Sequence, residues 1–221
     1  MLGKDYTDQD CALARALEVV GERWTLLILR DAFYGVRRFS DFAAHLDIPR
    51  AVLAERLRGL VEDGLLLRRA DPERPGRGVY ELTSSGRELW PALHALMRWG
   101  VRFHQAPERT RRFLHAACGT RLDERGGCPR CGTAPPPEAV LTAPAAGTPL
   151  RGDPVSVALR QPRHLLEPLV PHGGAARPKV GAGSSAGEEV DAEPGPGGQD
   201  PHPAGAAAHH PAEHGAERRD P

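Results

Sequence analysis

The sequence predicts a mainly α-helical fold with one small β-hairpin, followed by a compact cysteine-rich unit and a disordered tail. Three observations carry that prediction. Apolar residues recur at helical spacing through residues 8–64. Two short β-prone stretches then flank the turn "ADPERPGR" (Ala70–Arg77). Finally, 16 of the 22 prolines fall after residue 133, in a segment with no Phe, Trp or Tyr. Such a segment buries too little apolar surface to offset its chain entropy. The expected division is 1–107, 108–137 and a low-complexity tail over 138–221. Within that tail only "VSVALRQPRHLLEPLV" (Val155–Val170) has the apolar residues for a short element.

The elements follow in order. "DQDCALARALEVV" (Asp8–Val20) places Cys11, Ala14 and Leu17 near one face, and Gly21 closes it. "ERWTLLILRDAFYG" (Glu22–Gly35) repeats Trp24, Leu27, Ile28 and Ala32, as a buried helix would. "FSDFAAHL" (Phe39–Leu46) is short, with Ser40 positioned as its cap. "DIPRAVLAERLRGLVEDG" (Asp47–Gly64) begins with Asp47 as a cap and tolerates Pro49 in its first turn. Leu53, Leu57, Leu60 and Val61 form its core stripe. "LLLRR" and "GVYELT" are the paired strands. A last helix starts near Ser85, with Glu88 completing a capping box and Pro91 kinking it.

Helix, helix, short helix, helix, hairpin, helix is the order of a winged helix-turn-helix, whose second paired helix enters the DNA major groove. The charge pattern agrees. The chain has 29 basic and 29 acidic residues, yet residues 1–133 carry 22 against 18. A mildly basic body is therefore masked by an acidic tail. Arg50 stands at the N-terminus of the recognition helix, with Ala51, Ala54 and Arg58 on its outer face. Arg74 and Arg77 sit on a stiff Pro-restricted loop suited to gripping the flanking backbone. Arg37, Arg38 and Ser40, around the start of the short helix, complete the candidate DNA-contacting set. The alternative for any one arginine is an ordinary solvated face.

The stretches "CALARALEVVGERWTLLILRD" (Cys11–Asp31), "RRFSDF" (Arg37–Phe42), "LAERLRGLVEDGLL" (Leu53–Leu66) and "YELTSSG" (Tyr80–Gly86) resemble the HxlR-type winged-helix transcriptional regulators of bacteria. The resemblance covers about residues 8–103. It implies a DNA-binding homodimer, joined by its first and last helices and reading a palindromic operator. Members of such a family respond to reactive electrophiles, oxidants or small metabolites, or have no known effector. Two departures stand out. Ala51 occupies a position where many relatives are polar, and Pro49 one where they are small or hydroxylated. An apolar contact with a thymine methyl would suit Ala51. Cys11 lies where several redox-sensing relatives keep a reactive cysteine. It is also readable as a small buried residue on an apolar helix face.

"HAACG" (His115–Gly119) and "CPRCG" (Cys128–Gly132) repeat one pattern: ligand, two residues, ligand, glycine. Two such knuckles supply four ligands to a tetrahedral metal, so His115, Cys118, Cys128 and Cys131 resemble a zinc ribbon holding a structural zinc. A Cys128–Cys131 disulfide is the competing reading, disfavoured in a reducing compartment.

No basic-then-apolar leader is visible at the N-terminus, and "LLIL" (Leu26–Leu29) is far too short to cross a bilayer. A soluble cytoplasmic protein without membrane association is expected. No nucleophile–base pair, phosphate loop or open metal position suggests an enzyme. The functional expectation is a sequence-specific transcriptional regulator. Its alternative is a zinc-containing protein-interaction module that uses the winged helix only to dimerise.

Overall fold

Leu53, Leu57 and Leu60 recur every three or four residues, so one stripe of a helix must seek cover. The computed structural model of the chain describes residues 6–104, 110–145 and 151–169. There, these leucines lie on α4 (Arg50–Glu62) and are almost wholly buried. They pack with Ile28, Leu29 and Phe33 of α2 (Thr25–Phe33) and Phe42 of α3 (Phe39–Leu46). Truncating a leucine in such a core costs roughly 2–5 kcal/mol. Ahead of them runs α1 (Ala12–Val20).

Several local expectations are corrected. Asp47 does not open α4: it ends α3 in the left-handed conformation at φ 52°, which short polar side chains tolerate. Pro49 occupies the start of α4 instead. Ser40 caps nothing, because α3 begins one residue before it, and its hydroxyl donates to Asp41 Oδ1 at 3.2 Å. Helix α1 begins later than expected. Cys11 precedes its first turn and is exposed, so the buried reading of that thiol does not hold.

Strands β1 (Leu66–Ala70) and β2 (Gly78–Leu82) pair antiparallel, Leu66 opposite Leu82 and Arg69 opposite Val79. A third backbone segment joins them. Arg38 bridges Val79, and the Tyr80 N–H donates to the Arg37 carbonyl at 2.8 Å. The two arginines before α3 thus form part of the wing. Thr83, rather than Ser85, caps α5 (Ser84–Glu88), accepting from the Gly86 N–H at 3.0 Å. The helix then breaks at Leu89 and resumes as α6 (Trp90–His104). Pro91, lacking an N–H, cannot continue the preceding ladder.

The largest departure lies beyond residue 137, which composition assigned to a disordered tail. Residues 137–143 and 151–169 are built into the fold. Strand β3 (Arg112–His115) pairs with β4 (Val140–Ala143), and β4 with β5 (Arg163–His164). Helix α7 (Pro154–Ala158) packs against α3. Val140, Val155, Leu159, Leu165 and Leu169 are buried. Composition failed here because these few apolar residues need no core of their own. They join one that the helices have already built, alongside Phe113 and Trp90. The Leu166 and Leu169 N–H groups donate to the carbonyls of Phe33 and Gly35 at 2.7 and 2.8 Å. Gly35 is required there: at φ 89°, a Cβ would fall 1.9 Å from the Glu167 carbonyl oxygen. The remaining tail, 170–221, lies outside the described residues.

Candidate nucleic-acid interface and metal centre

The position of α4 follows from its buried stripe. With Leu53, Leu57 and Leu60 turned inward, Arg50, Ala51 and Arg58 are exposed and Ala54 is half-buried. The Arg50 guanidinium lies over the Phe39 ring at 5.1 Å, a cation–π contact that restrains a long side chain at the helix N-terminus. Phe39 and the exposed Ser40 also line a cleft of about 290 Å³ facing the wing. Its far wall carries Arg68, Arg74 and Arg77. Phe39 and Arg68 were not singled out from sequence. Phe39 reads as one more apolar residue, and Arg68 gives no sign of facing α3 until the strand register is known.

The arginines divide into two groups. Arg37 pairs with Glu81 at 2.7 Å, and Arg69 reaches the same carboxylate at 3.3 Å. The Arg38 Nε donates to Asp71 Oδ2 at 2.9 Å, and its Nη2 meets Glu73. Arg37 and Arg38, expected to face phosphates, are therefore engaged by acids of the wing. Their segment is joined to β2 by an isolated bridge between Arg38 and Val79, which brings Glu81 and Asp71 alongside. Asp71 in turn shapes the loop: its Oδ1 accepts from the Glu73 N–H at 2.9 Å, and its own N–H donates to the Arg77 carbonyl at 2.8 Å. The Arg38 guanidinium holds its carboxyl below the usual range. Asp41, buried beneath, is pushed the other way by burial. Among the described residues, Arg50, Arg58, Arg68, Arg74 and Arg77 have no ion pair with an acid.

The metal candidates converge. One ligand atom from each of His115, Cys118, Cys128 and Cys131 lies within 4.8 Å of all the others. The Cys118 sulfur is 3.5 Å from both His115 Nδ1 and the Cys128 sulfur. These separations suit a tetrahedral ion with bonds of about 2.0–2.3 Å, and none of the cysteines is in a disulfide. The two knuckles share one hydrogen-bond scheme. The N–H of His115 donates to the Thr120 carbonyl (2.8 Å), and that of Cys128 to Thr133 (2.7 Å). Gly119 and Gly132, at φ 68° and 67°, each donate back to the first ligand's carbonyl at 2.8 Å. Hydrogen bonds from Thr120 bring the Cys118 thiol down to about 6. Cys131, facing Cys118 and Cys128, is pushed up to about 11. Crowded sulfurs of this kind hold their thiolates together only around a cation.

A helix pair whose second member presents a basic end beside an arginine-lined β-wing is a winged helix-turn-helix, the DNA-binding module of transcriptional regulators. The sequence matches the HxlR-like helix-turn-helix family over residues 19–108. It is 49% identical over 122 residues to the uncharacterised HTH-type transcriptional regulator Rv3095 of Mycobacterium tuberculosis, covering 55% of this chain and 77% of that protein. It is 35% identical over 88 residues to the uncharacterised HTH-type transcriptional regulator YvaP of Bacillus subtilis, covering 39% and 82%. Among solved structures, that of PA1607, a candidate transcription factor, is 36% identical and covers 54% of this chain and 84% of its own, with a TM-score of 0.49. The chain belongs to the HxlR-like family and is a transcriptional regulator of the helix-turn-helix class.

No helix among the described residues is long and apolar enough to cross a membrane.

Proposed function

We propose that the protein is a cytoplasmic, sequence-specific regulator that binds a palindromic operator as a homodimer. The observation that carries this reading is the selective pairing of its arginines. Those that build the wing are neutralised by Glu81, Asp71 and Glu73, whereas Arg50, Arg58, Arg68, Arg74 and Arg77 keep their charge free around α4 and the wing. Arg50, Ala51 and Ala54 face base edges in this arrangement. Ser40, Arg58, Arg74 and Arg77 meet the backbone, and Arg37 and Arg38 act chiefly by fixing the wing.

Dimerisation is supported by apolar residues left exposed on α1 and α6. Leu13 is 65% exposed, Leu96 51%, Trp99 56% and Phe103 59%. Such side chains on two helices of one domain favour cover by a second copy. The unit over 108–137 would hold a structural zinc through His115, Cys118, Cys128 and Cys131. Four protein ligands leave no open position for catalysis. Cys11, exposed ahead of α1 and apart from the metal candidates, is a thiol that an electrophile or oxidant could reach.

The test is selection of bound fragments from random duplex DNA, followed by a salt titration of the recovered site. A dimer neutralising roughly eight phosphates gives a log–log slope of about −7. A monomer that prefers no duplex over competitor would overturn the proposal.

A further inference from the structure

A second cavity, of about 770 Å³, lies away from the DNA-facing surface, between α2, α6 and the C-terminal segment. Its walls are mostly apolar, with Leu26, Leu93, Met97, Val101, Phe113 and Leu159 among them. Five arginines also reach it (Arg30, Arg98, Arg111, Arg151 and Arg160), and among the described residues no Asp or Glu lines it. Two of these cations are neutralised from behind the wall. Arg30 is 2.7 Å from Asp31, and Arg151 is 3.6 Å from Asp153. Among the described residues, Arg98, Arg111 and Arg160 have no acidic partner.

Arg111 shows what is missing. Its Nε donates to Thr142 Oγ1 at 2.8 Å and its Nη1 to the Leu159 carbonyl at 2.9 Å, while its buried Nη2 has no acceptor among the described residues. The buried Arg98 Nε also lacks one. Between Arg30 and Arg111 stands the Tyr34 ring, 5.8 and 5.5 Å from the two guanidinium carbons. Among the described residues its hydroxyl meets only the Met97 sulfur, at 3.9 Å. Desolvated cationic donors without an anion are unfavourable, and an entering carboxylate would satisfy them. The apolar walls require the remainder of such a ligand to be hydrocarbon. The volume falls in the range of about 300–1,000 Å³ usual for small-molecule sites.

We infer that this cavity binds an organic carboxylate with an apolar body, held by Arg111 and Arg98, and that this is the effector site. The effector role rests on the reading of the chain as an operator-binding regulator; the binding itself does not. The route to the DNA surface is short. His45 of α3 lines the cavity and its carbonyl accepts from Arg151 at 2.8 Å, while α7 packs on α3, the helix preceding the recognition helix. A ligand drawing these groups together shifts α3 against α4.

The experiment is calorimetric titration of the full-length protein with octanoate and 4-phenylbutyrate, each against its neutral amide. At least one acid should bind saturably, with its amide about tenfold or more weaker, since the amide forfeits the charge-assisted pair. Arg98→Gln and Arg111→Gln should each weaken the acid by a similar factor. Val101→Trp, which fills the space while leaving every arginine in place, should abolish binding while circular dichroism stays native. Absence of saturable binding by either acid, parity of acid and amide, or full affinity in both arginine variants overturns the inference. Acid binding by a protein that recognises no duplex would instead remove the regulatory reading and leave the cavity assignment standing.

Discussion

The Arg38 Nε and Asp71 Oδ2 lie 2.9 Å apart, joining the residue just before α3 to the residue that starts the wing loop. Arg38 is 14% exposed and Asp71 2% at the side chain, so the pair is sheltered from solvent screening. It fixes the cleft between the recognition unit and the hairpin. This leads to a prediction in which charge and geometry oppose each other. Removing an acid near DNA should by charge alone tighten binding. Asp71→Ala, by freeing both Arg38 and the loop, is expected to weaken operator affinity roughly several-fold. Tighter binding in a fluorescence anisotropy titration would show that the pair does not set the wing.

Arg50 and Arg77 should differ in kind. Arg50→Ala should cost about 1–3 kcal/mol on the selected operator and little on random duplex, as loss of a base contact does. Arg77→Ala should weaken all sequences alike and reduce the magnitude of the salt slope by about 1. Anisotropy titrations of both variants on both duplexes, across a salt series, check this. Identical profiles would place both residues on the backbone.

The two knuckles predict one equivalent of zinc per chain. Chelation, or Cys128→Ser, should lower stability by about 3 kcal/mol or more, roughly 10 °C in Tm for a chain of this size. His115→Cys should retain the metal, because a thiolate also suits a tetrahedral site. Elemental analysis with thermal denaturation provides the measurement, and a metal-free protein of unchanged Tm would refute the assignment.

His94 offers a pH test. It is 1% exposed, against the rings of Trp90 and Phe113, and its Nδ1 has no partner among the described residues. Burial, helped by nearby Arg98, lowers its pKa to about 4 from 6.5. The folded state therefore keeps the ring neutral while the unfolded chain takes a proton first. Its stabilisation is complete above pH 6.5 and is lost as pH falls towards 4, by on the order of 2–3 kcal/mol. His94→Phe should flatten that part of the Tm profile. Metal loss at low pH is common to both proteins, so the difference between them isolates the imidazole.

Local physics made much of this molecule legible. The bounds of α3, the leucine stripe of α4, the hairpin and the four metal-binding candidates all follow from spacing, because each depends on residues a few positions apart. What escaped notice depends on distant partners. The Arg38–Asp71 pair spans 33 positions, and nothing near Arg38 announces an acid. Asp47 was misread because a short polar residue between two helices can end one as readily as begin the next. Val155 and Leu159 promised at most a short element, with no sign of the core it joins. Their burial is supplied by helices more than a hundred residues earlier.

The bonds from Leu166 to Phe33 and from Leu169 to Gly35 span more than 130 positions each. Contacts of such separation form late in folding. During synthesis the groove-reading helices emerge long before the strap that closes over α2. A nascent or prematurely ended chain therefore carries a reading head with its back uncovered. Synthesis through Leu169, rather than emergence of the recognition helix, marks the point at which α2 gains its cover.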